Sequence, residues 1–449
     1  MCLCVRRFQK ENWYWIIFFI FEINKLLNSI DASVVVIAAA VTATVIVTFS
    51  VFGIVASLAP SCTGMKVSRI FPYTPPTWWP GQKTFFPKSG RLSLGNLPTP
   101  LHSLGPTKLC DVNGISFNMF VKRDDMSGGV EMGGNKIRKL NFLLADALAG
   151  GYDSVVTIGG EQSNHCRATA AAARMVGLEP HLILRTRKSY VDNNEMLGTT
   201  GNLLYDRFVG ATIYTCTSGE YGRFGSNALL KKVCGDLQRM GKVPYLINVG
   251  GSNGIGTWGY IDAIDELVNQ ITSYSPNVGE DSTNESLMKI DHIVFACGSG
   301  GTAAGISCGV ALAFSNQRNL HLPKVHAIGV CDSPEYFYNE ILNLSRELGL
   351  FQQDSHDKAI AKLKSWVTIH QGRGLGYSVN TKEELEFCKN FSLKTGIVID
   401  PVYTGKALFH FATKVLPGKH SPNIMSLLLH LFTCYIICWY KCCQNKFRI

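Results

Sequence analysis

Residues 133–140 read Gly-Gly-Asn-Lys-Ile-Arg-Lys-Leu, and they place Lys136 between a glycine turn and a predicted helix over 138–148. Two adjacent glycines allow backbone angles that other residues resist. A lysine at a helix N-terminus lies at the positive end of the helix dipole, which favours its neutral amine. The neutral amine is the form that makes a Schiff base with an aldehyde. Lys136 is therefore a candidate covalent anchor, with a solvated surface lysine as the alternative.

A second glycine turn follows a short β-branched run at residues 154–158, which predicts a buried strand. The turn reads Gly-Gly-Glu-Gln-Ser-Asn-His over 159–165 and leads into an alanine-rich helix over 167–176. Backbone N–H groups at the start of such a helix point towards an anion. The turn is therefore a candidate anion site, although Ser163 or Asn164 could simply cap the helix.

A third turn has the composition of a phosphate loop. Residues 292–296 predict another strand, which runs into Gly-Ser-Gly-Gly-Thr at 298–302 and a helix over 303–314. Backbone N–H groups and a hydroxyl in such a loop can surround a phosphate. The run also fits a nucleotide-binding fingerprint, but the acidic residue expected about 20 positions later is absent.

These motifs resemble, in their order, pyridoxal-phosphate (PLP) enzymes of the tryptophan-synthase-β type, known as fold type II. The resemblance rests on G-N-K-x-R-K-L at Lys136, Q-S-N-H-x-R-A-T from Gln162, G-S-G-G-T from Gly298 and D-P-V-Y-T-G-K-A from Asp400. Within that type the chain is similar to the D-cysteine desulfhydrase and 1-aminocyclopropane-1-carboxylate (ACC) deaminase group, and most similar to the desulfhydrases. The resemblance covers roughly residues 68–410.

The resemblance implies an α/β fold with two open parallel-sheet domains and the cofactor between them. The large PLP domain is expected to combine residues 68–138 with 246–415, and the small domain to span 139–245. Strand-like and helical runs alternate along this part of the chain, which independently favours parallel sheets. Residues 60–100 are rich in proline and aromatics and predict an extended lead-in.

The resemblance also assigns the cofactor contacts. Lys136 is expected to hold the PLP aldehyde and, once freed from it, to remove the substrate α-proton. Asn164 is expected to touch the hydroxyl of the cofactor ring. The phosphate is expected to lie against the glycine loop, that is, against Gly298, Ser299, Gly300, Gly301 and Thr302. No spacing typical of a metal site appears in the sequence.

The substrate is expected to meet two further groups of residues. Its carboxylate is expected at the helix N-terminus formed by Gln162, Ser163, Asn164 and His165, with Ser163 also assigned to catalysis. Tyr377 and Tyr403 match tyrosines that the family places near the substrate, where they would move protons; packed aromatics are the alternative. Each of these tyrosines lies in a glycine-rich turn of the sequence rather than on an apolar face.

The reaction implied is β-elimination of D-cysteine to pyruvate, hydrogen sulfide and ammonia. The competing enzyme prediction is ACC deaminase, which would release 2-oxobutyrate and ammonia. In the deaminase branch the residue after the tyrosine of the D-P-V-Y-like run is usually glutamate, whereas this chain has Thr404. Thr404 is therefore placed near the substrate, and it favours the desulfhydrase of D-amino acid metabolism.

The N-terminal region predicts membrane attachment. After a tail over 1–32, residues 33–59 form 27 consecutive positions without a charged side chain, long enough for a transmembrane helix. Flanking charges differ too little to decide the orientation. A membrane-associated protein with a cytosolic catalytic domain is expected, or a cytosolic one if the terminal segments are gene-model artefacts.

The tail at 416–449 is atypical for the family. Members continue to a strand and an H-T-G-G-like turn whose threonine meets the pyridine nitrogen, and no such turn is present here. The apolar run 425–440 predicts a second membrane segment or a misassigned end, and the loss of a central strand. A non-enzyme alternative follows, namely a catalytically impaired, membrane-tethered relative.

The composition of the chain indicates which kinds of binding partner it suits. The net charge is +10, but basic runs are absent, which suits small anionic molecules better than nucleic acid. The fifteen cysteines are scattered and predict free thiols in a reducing compartment. A small amino-acid substrate and a homodimer are the partners expected.

Overall fold

The computed structural model describes residues 69–80, 85–107, 117–186, 197–273, 289–316, 320–416 and 425–430. All of them belong to one unit, Lys66–Ile449. The predicted transmembrane helix at 33–59 lies outside the described residues. Among the residues that are described, no helix combines the length and the apolar character needed to cross a membrane.

The described chain alternates strands and helices, as its sequence predicts. The strands are β1 (Leu101–Thr107), β2 (Phe117–Arg123), β3 (Ser154–Gly160), β4 (Glu179–Thr186), β5 (Thr212–Thr217), β6 (Pro244–Leu246), β7 (His292–Cys297), β8 (Lys324–Gly329), β9 (Thr368–Gln371) and β10 (Met425–His430). The helices are α1 (Lys136–Ala149), α2 (Asn164–Val176), α3 (Asn202–Phe208), α4 (Ser218–Arg239), α5 (Gly254–Thr272), α6 (Gly301–Asn316), α7 (Pro334–Glu347), α8 (His356–Trp366), α9 (Lys382–Thr395) and α10 (Thr404–His410).

The strands form two sheets. The larger has the order β1-β2-β10-β7-β8-β9 and is parallel except for β1, which pairs antiparallel with β2. The smaller has the order β5-β4-β3-β6 and is wholly parallel. Parallel sheets are covered by helices on both faces, which explains why every residue of β7 is buried. The α/β fold with two parallel-sheet regions is thereby confirmed.

The position of β10 corrects one prediction about the tail. Residues 425–430 pair in parallel with β2 on one side and β7 on the other, and Leu428 is 1% exposed. The expected loss of a central strand is therefore wrong, and so is a membrane segment beginning at 425. A continuous apolar run suits a strand buried on both faces. Residues 431–449, where the H-T-G-G-like turn would fall, lie outside the described residues.

A row of histidines crosses the larger sheet. His292 on β7 and His326 on β8 are hydrogen-bonded through ring nitrogens 2.9 Å apart, and His326 and His370 on β9 through nitrogens 3.0 Å apart. The rings of neighbouring residues stack with an interplanar angle of 29°. Phe411 packs against His292 and His326. The row replaces part of the apolar core with paired polar groups.

The cysteines of the described residues are free thiols, as predicted. Cys331 is partly buried, and the others are buried, namely Cys166, Cys216, Cys234, Cys297, Cys308 and Cys388. Burial raises the pKa of Cys297 and of Cys308 to about 12, so both thiols are neutral at physiological pH. Their role within the fold is therefore that of small apolar side chains.

Candidate active site

Two of the three glycine turns follow the carboxyl ends of parallel strands, and the third lies directly before α1. The turn after β3 leads into α2, and the turn after β7 leads into α6. Ligands in open parallel sheets bind at these ends. Asn135, just before α1, donates through Nδ2 to Thr302 Oγ1 at 3.1 Å, and Arg167 on α2 donates to the Gly133 carbonyl at 2.9 Å. These two bonds bring the three predicted motifs together.

Lys136 is the first residue of α1 and is 8% exposed. Its burial lowers the pKa of the ammonium group to about 8, so a substantial fraction of the amine is neutral near physiological pH. A neutral, buried amine is the reactive form towards an aldehyde. The surface-lysine alternative does not fit this environment, and burial supplies the pKa shift that the sequence attributed to the helix dipole.

A buried ionic cluster fixes the first turn of α1. Arg138 donates to both carboxylate oxygens of Asp124, at 2.8 and 3.0 Å, and to both oxygens of Glu266, each at 3.0 Å. Tyr260 donates to Asp124 at 2.6 Å. Attraction to Asp124 and Glu266 outweighs desolvation and raises the pKa of Arg138 well above its ordinary value. The cluster restricts where Lys136 can lie; the sequence did not predict it, because its members are far apart along the chain.

The glycine loop at 298–302 is closely packed. Gly300 has a φ of +81°, which favours glycine. A Cβ on Gly301 would lie 2.6 Å from Ser252 Oγ and 2.8 Å from Lys139 Nζ, so only glycine fits. Ser252 Oγ accepts from the Gly301 N–H at 3.2 Å and lies 2.9 Å from Ser299 Oγ. The loop thus combines backbone N–H groups and hydroxyls, the donors that bind a phosphate.

Lys139 places a buried amine against this loop. Its side chain is fully buried, and its Nζ donates to the Gly250 carbonyl at 3.1 Å. Burial and then the nearby Lys136 lower its pKa well below the ordinary value, which favours the neutral amine in the absence of an anion. Among the described residues, no carboxylate forms an ion pair with it. A phosphate against the loop would favour the charged form of Lys139, so the arrangement fits PLP; sequence reasoning missed Lys139.

In the turn before α2, Ser163 caps the helix and Asn164 accepts hydrogen bonds from two side chains. Ser163 Oγ accepts from the Cys166 N–H at 3.2 Å and caps the helix, as the alternative interpretation predicted. Asn164 Oδ1 accepts from Arg167 at 3.2 Å and from Asn202 at 2.9 Å. Both side chains are partly buried at a helix N-terminus, where an anion is favoured. Their roles towards substrate and cofactor stay predictions.

Gln162 directs its amide towards the start of α3, and its role towards the substrate stays a prediction. Its Oε1 accepts from the Asn202 N–H at 2.8 Å, and its Nε2 donates to the Thr200 carbonyl at 3.1 Å. A Cβ on Gly201 would lie 2.1 Å from that Oε1, so the glycine admits the side chain. Both ends of the amide are thus used in holding the start of α3 against the turn.

His165 lies in the protein interior, and its assignment to the substrate stays a prediction. His165 is 5% exposed, and its ring nitrogens lie 2.8 Å from Thr157 Oγ1 and 3.5 Å from Thr169 Oγ1. Burial, with the nearby lysine charges, lowers its pKa well below the ordinary value, so the imidazole is neutral. His165 therefore joins β3 to α2 from inside the smaller α/β region.

The two predicted tyrosines form a pair. The Tyr377 hydroxyl lies 2.5 Å from the Tyr403 hydroxyl, although 42% of the Tyr377 side chain is exposed. Burial raises the pKa of both, and the contact with Tyr377 raises that of Tyr403 further. A Cβ on Gly298 would lie 3.2 Å from Tyr403 Cε1. The Tyr403 ring therefore lies directly against the glycine loop.

Asp400 orders the turn that carries Tyr403. Its carboxylate accepts from the N–H groups of Val402, Tyr403 and Thr404 at 3.0, 2.6 and 3.0 Å. Thr404 begins α10 and is 1% exposed. Three charge-assisted bonds in one short turn leave its backbone little freedom. The turn thus fixes Tyr403 and buries Thr404 immediately after it.

Comparison with known proteins assigns the fold and site to a class. The sequence pattern of the family described as "Pyridoxal-phosphate dependent enzyme" matches residues 92–429, which include all but the last residue of β10. The chain therefore belongs to the pyridoxal-phosphate-dependent enzymes, and PLP is its cofactor. The match confirms the resemblance found in the sequence and extends it from about residue 410 to the last strand.

Within the pyridoxal-phosphate-dependent enzymes, the chain is similar to several individual relatives. The chain is 43% identical over 344 residues, 77% of each chain, to a protein of Arabidopsis thaliana named "Bifunctional D-cysteine desulfhydrase/1-aminocyclopropane-1-carboxylate deaminase, mitochondrial". It is 34% identical over 320 residues, 71% of this chain and 89% of the relative, to a putative ACC deaminase of Thermotoga maritima. A crystal structure of an ACC deaminase homologue superposes with a TM-score of 0.59 at 29% identity, covering 79% of this chain and 94% of that one.

Proposed function

We propose that this enzyme catalyses β-elimination of D-cysteine to pyruvate, hydrogen sulfide and ammonia. The observation that carries the proposal is the turn ordered by Asp400, which holds the Tyr403 hydroxyl against that of Tyr377 and places the buried Thr404 directly after Tyr403. The deaminase branch usually has glutamate at that position. The Arabidopsis relative, whose name includes D-cysteine desulfhydrase, supports the same activity.

The chain's own residues divide the work of binding. Lys136 would hold the cofactor covalently, and the glycine loop with Lys139 would hold its phosphate. The N-terminus of α2, with Ser163 and Asn164, would receive the substrate carboxylate, because backbone N–H groups and the helix dipole favour an anion there. When bound, PLP supplies the electron sink that stabilises negative charge at the substrate α-carbon.

Proton transfers would fall to Lys136 and to the tyrosine pair. The lowered pKa of Lys136 makes its free amine an effective base towards the α-proton at physiological pH. Tyr403, whose pKa is raised by burial and by Tyr377, keeps its proton and can donate it to a departing thiolate. Tyr377, 2.5 Å away and partly exposed, can return that proton from solvent.

ACC deaminase is the second candidate. The names of the Arabidopsis and Thermotoga relatives include this activity, and the same lysine and tyrosine pair could serve it. A third candidate, an impaired relative, has lost its main structural support because β10 is present. The remaining argument for an impaired relative is the missing H-T-G-G-like turn, whose threonine would bind the pyridine nitrogen of the cofactor. That turn would fall in residues that the structure does not describe.

A product assay separates these candidates. Purified protein loaded with PLP is incubated separately with D-cysteine, L-cysteine and ACC, and sulfide, pyruvate and 2-oxobutyrate are measured. Sulfide from D-cysteine, well above that from L-cysteine, together with little 2-oxobutyrate, supports the proposal. Predominant 2-oxobutyrate from ACC would replace it with deamination, and no product from any substrate would favour the impaired relative.

We also propose that the protein is a homodimer, associated with a membrane through residues 33–59, with a cytosolic catalytic region. The uncharged 27-residue run supports the membrane association. The free thiols of the described cysteines support a cytosolic location of the catalytic region. Fractionating cells that express the full chain tests the localisation: protein that leaves the membrane fraction in high salt without detergent would contradict a spanning helix. Light scattering of the detergent-solubilised protein, corrected for bound detergent, tests the dimer.

A further inference from the structure

The loop that carries Tyr377 has an unfavourable backbone. Gly374 and Gly376 have φ values of +58° and +147°, and Ser378, immediately after the tyrosine, has a φ of +61°. A positive φ is uncommon for a residue with a Cβ and persists only where surrounding contacts impose it. The loop is also exposed, with Leu375 69% accessible. Contacts from outside the loop are therefore needed to hold Tyr377 in place.

Lys406 makes the contacts that can do so. Its Nζ donates to the carbonyls of Arg373, Gly376 and Val379 at 2.8, 3.3 and 2.7 Å, so a single ammonium group binds both ends and the middle of the loop. Lys406 is 1% exposed and lies on α10, the helix that begins directly after Tyr403. An ammonium has three donors, and all three are directed at this loop.

The charge of Lys406 is balanced locally. Glu384 Oε2 lies 3.5 Å from Nζ and also accepts from the Thr381 N–H at 2.9 Å, as part of the cap of α9. Asn380 donates to the Pro401 carbonyl, which ties the end of the loop to the turn before Tyr403. The loop, α9 and α10 are thus joined around one buried ammonium.

We propose that Lys406 is a positioning residue that holds the Tyr377 hydroxyl against the Tyr403 hydroxyl. The proposal rests on the proposed function for its catalytic consequence, since the pair is assigned to proton transfer there. Lys406 itself reaches only loop carbonyls and Glu384 among the contacts described, and it acts on the chemistry through Tyr377.

The test is a double-mutant cycle on the PLP-loaded full chain. Lys406→Met keeps the length of the side chain but removes its donors. We expect kcat for D-cysteine to fall about tenfold, within the range of one general acid–base contribution, while KM changes less than about threefold. In a Tyr377→Phe background the same substitution should lower kcat less than about twofold, because the hydroxyl that it positions is gone.

Lys389→Met is the matched control. Lys389 lies on α9 with its side chain 49% exposed, and its Nζ lies 3.6 Å from Glu386 Oε1, a long separation for an ion pair. We expect its kcat to match the wild type. An unchanged kcat in Lys406→Met, or an equal loss with and without the Tyr377 hydroxyl, would overturn the proposal. The second of these results would indicate general destabilisation instead.

Amide hydrogen exchange provides a readout that needs no substrate. In Lys406→Met, amides of residues 373–379 should exchange at least about tenfold faster than in wild type and Lys389→Met, because the tethers are lost. Unchanged exchange would overturn the proposal even if activity falls. If the wild type acts on neither D-cysteine nor ACC, the proposed function fails and exchange alone decides the positioning role.

A second variant covers the case in which Lys406→Met does not fold. Gly374→Ala disturbs the same contact from the loop side, because its Cβ would lie 3.0 Å from Glu384 Oε1 and 3.3 Å from Lys406 Nζ at a positive φ. It should show the same smaller loss in the Tyr377→Phe background and the same faster exchange. Wild-type behaviour in both measurements would contradict the proposal.

Discussion

Asn135 Nδ2 donates a 3.1 Å hydrogen bond to Thr302 Oγ1, which joins the turn before Lys136 to the glycine loop across 167 positions of sequence. Both residues are buried. The bond therefore fixes the separation between the residue proposed to hold the cofactor covalently and the loop proposed to hold its phosphate. A cofactor that bridges the two would have one orientation, with its aldehyde at Lys136 and its phosphate at the glycine loop.

Borohydride reduction of the PLP-loaded protein should label Lys136. Two buried lysines lie near each other here, and burial lowers the pKa of both, but Lys139 Nζ is directed at the Gly250 carbonyl and Ser252. Peptide mapping after reduction locates the label. Lys136→Ala should abolish both the label and turnover, because the covalent anchor and base are lost together; a label on Lys139 would contradict the assignment.

Lys139→Met should weaken PLP binding but leave Lys136 as the labelled residue. The loss of a charge-assisted contact with phosphate costs about 1.5–3 kcal/mol, or about 10- to 100-fold in Kd. Titration of the cofactor-free protein with PLP, followed by absorbance, measures the change. Lys382→Met, at an exposed position on α9, is the control. Equal affinities in all three proteins would show that Lys139 does not meet the phosphate.

Thr404→Glu should lower D-cysteine turnover and shift selectivity towards ACC. The side chain at this position is 1% exposed and follows Tyr403, so a carboxylate would enter a buried region beside Asp400. Two close carboxylates raise each other's pKa and change which groups can carry protons. The ratio of kcat/KM for the two substrates, compared with Thr404→Gln, isolates the charge. An unchanged ratio would mean that Thr404 lies away from the substrate.

Asp206→Asn should raise thermal stability at alkaline pH. Asp206 is fully buried on α3, neither carboxylate oxygen has a hydrogen-bond partner within the described part of the chain, and burial raises its pKa to about 8. Between about pH 4 and pH 8 the folded protein therefore binds more protons than the unfolded chain, and this group's contribution to stability falls as pH rises.

The variant removes that pH dependence. Its Tm should exceed the wild-type Tm by at least about 2 °C near pH 8, the shift that about 1 kcal/mol produces in a large domain, with the difference shrinking towards about pH 5. Asp236→Asn, at a partly exposed position on α4, should show no such trend. A difference that is constant with pH would contradict a titrating Asp206.

Much of the fold could be predicted because its signals are local. The β-branched run at 154–158 and its glycine turn predict a strand followed by a helix, and the structure confirms both as β3 and α2. The position of Lys136 at the start of α1 was predicted for the same reason. Each of these elements is set by residues within a few positions of it, where backbone preferences act directly.

The remainder depends on residues that are distant in sequence. His165 lies in the predicted motif, but the direction of its side chain is decided by Thr157 on β3 and by α2 packing over it. The roles of Arg138 and Lys139 depend on Glu266 and Gly250, more than 100 positions away. The apolar run of β10 could not be told from a membrane segment by composition, since both are uniformly apolar.

Elimination of sulfide from D-cysteine is the activity proposed for this PLP enzyme. Its most direct test is the stoichiometry of sulfide and pyruvate released from D-cysteine by the full chain, with Lys136→Ala assayed in parallel. We expect equal amounts of the two products from the wild type and neither from the variant. Absence of sulfide from D-cysteine in protein shown by absorbance to be fully loaded with PLP would contradict it, as would undiminished release by Lys136→Ala.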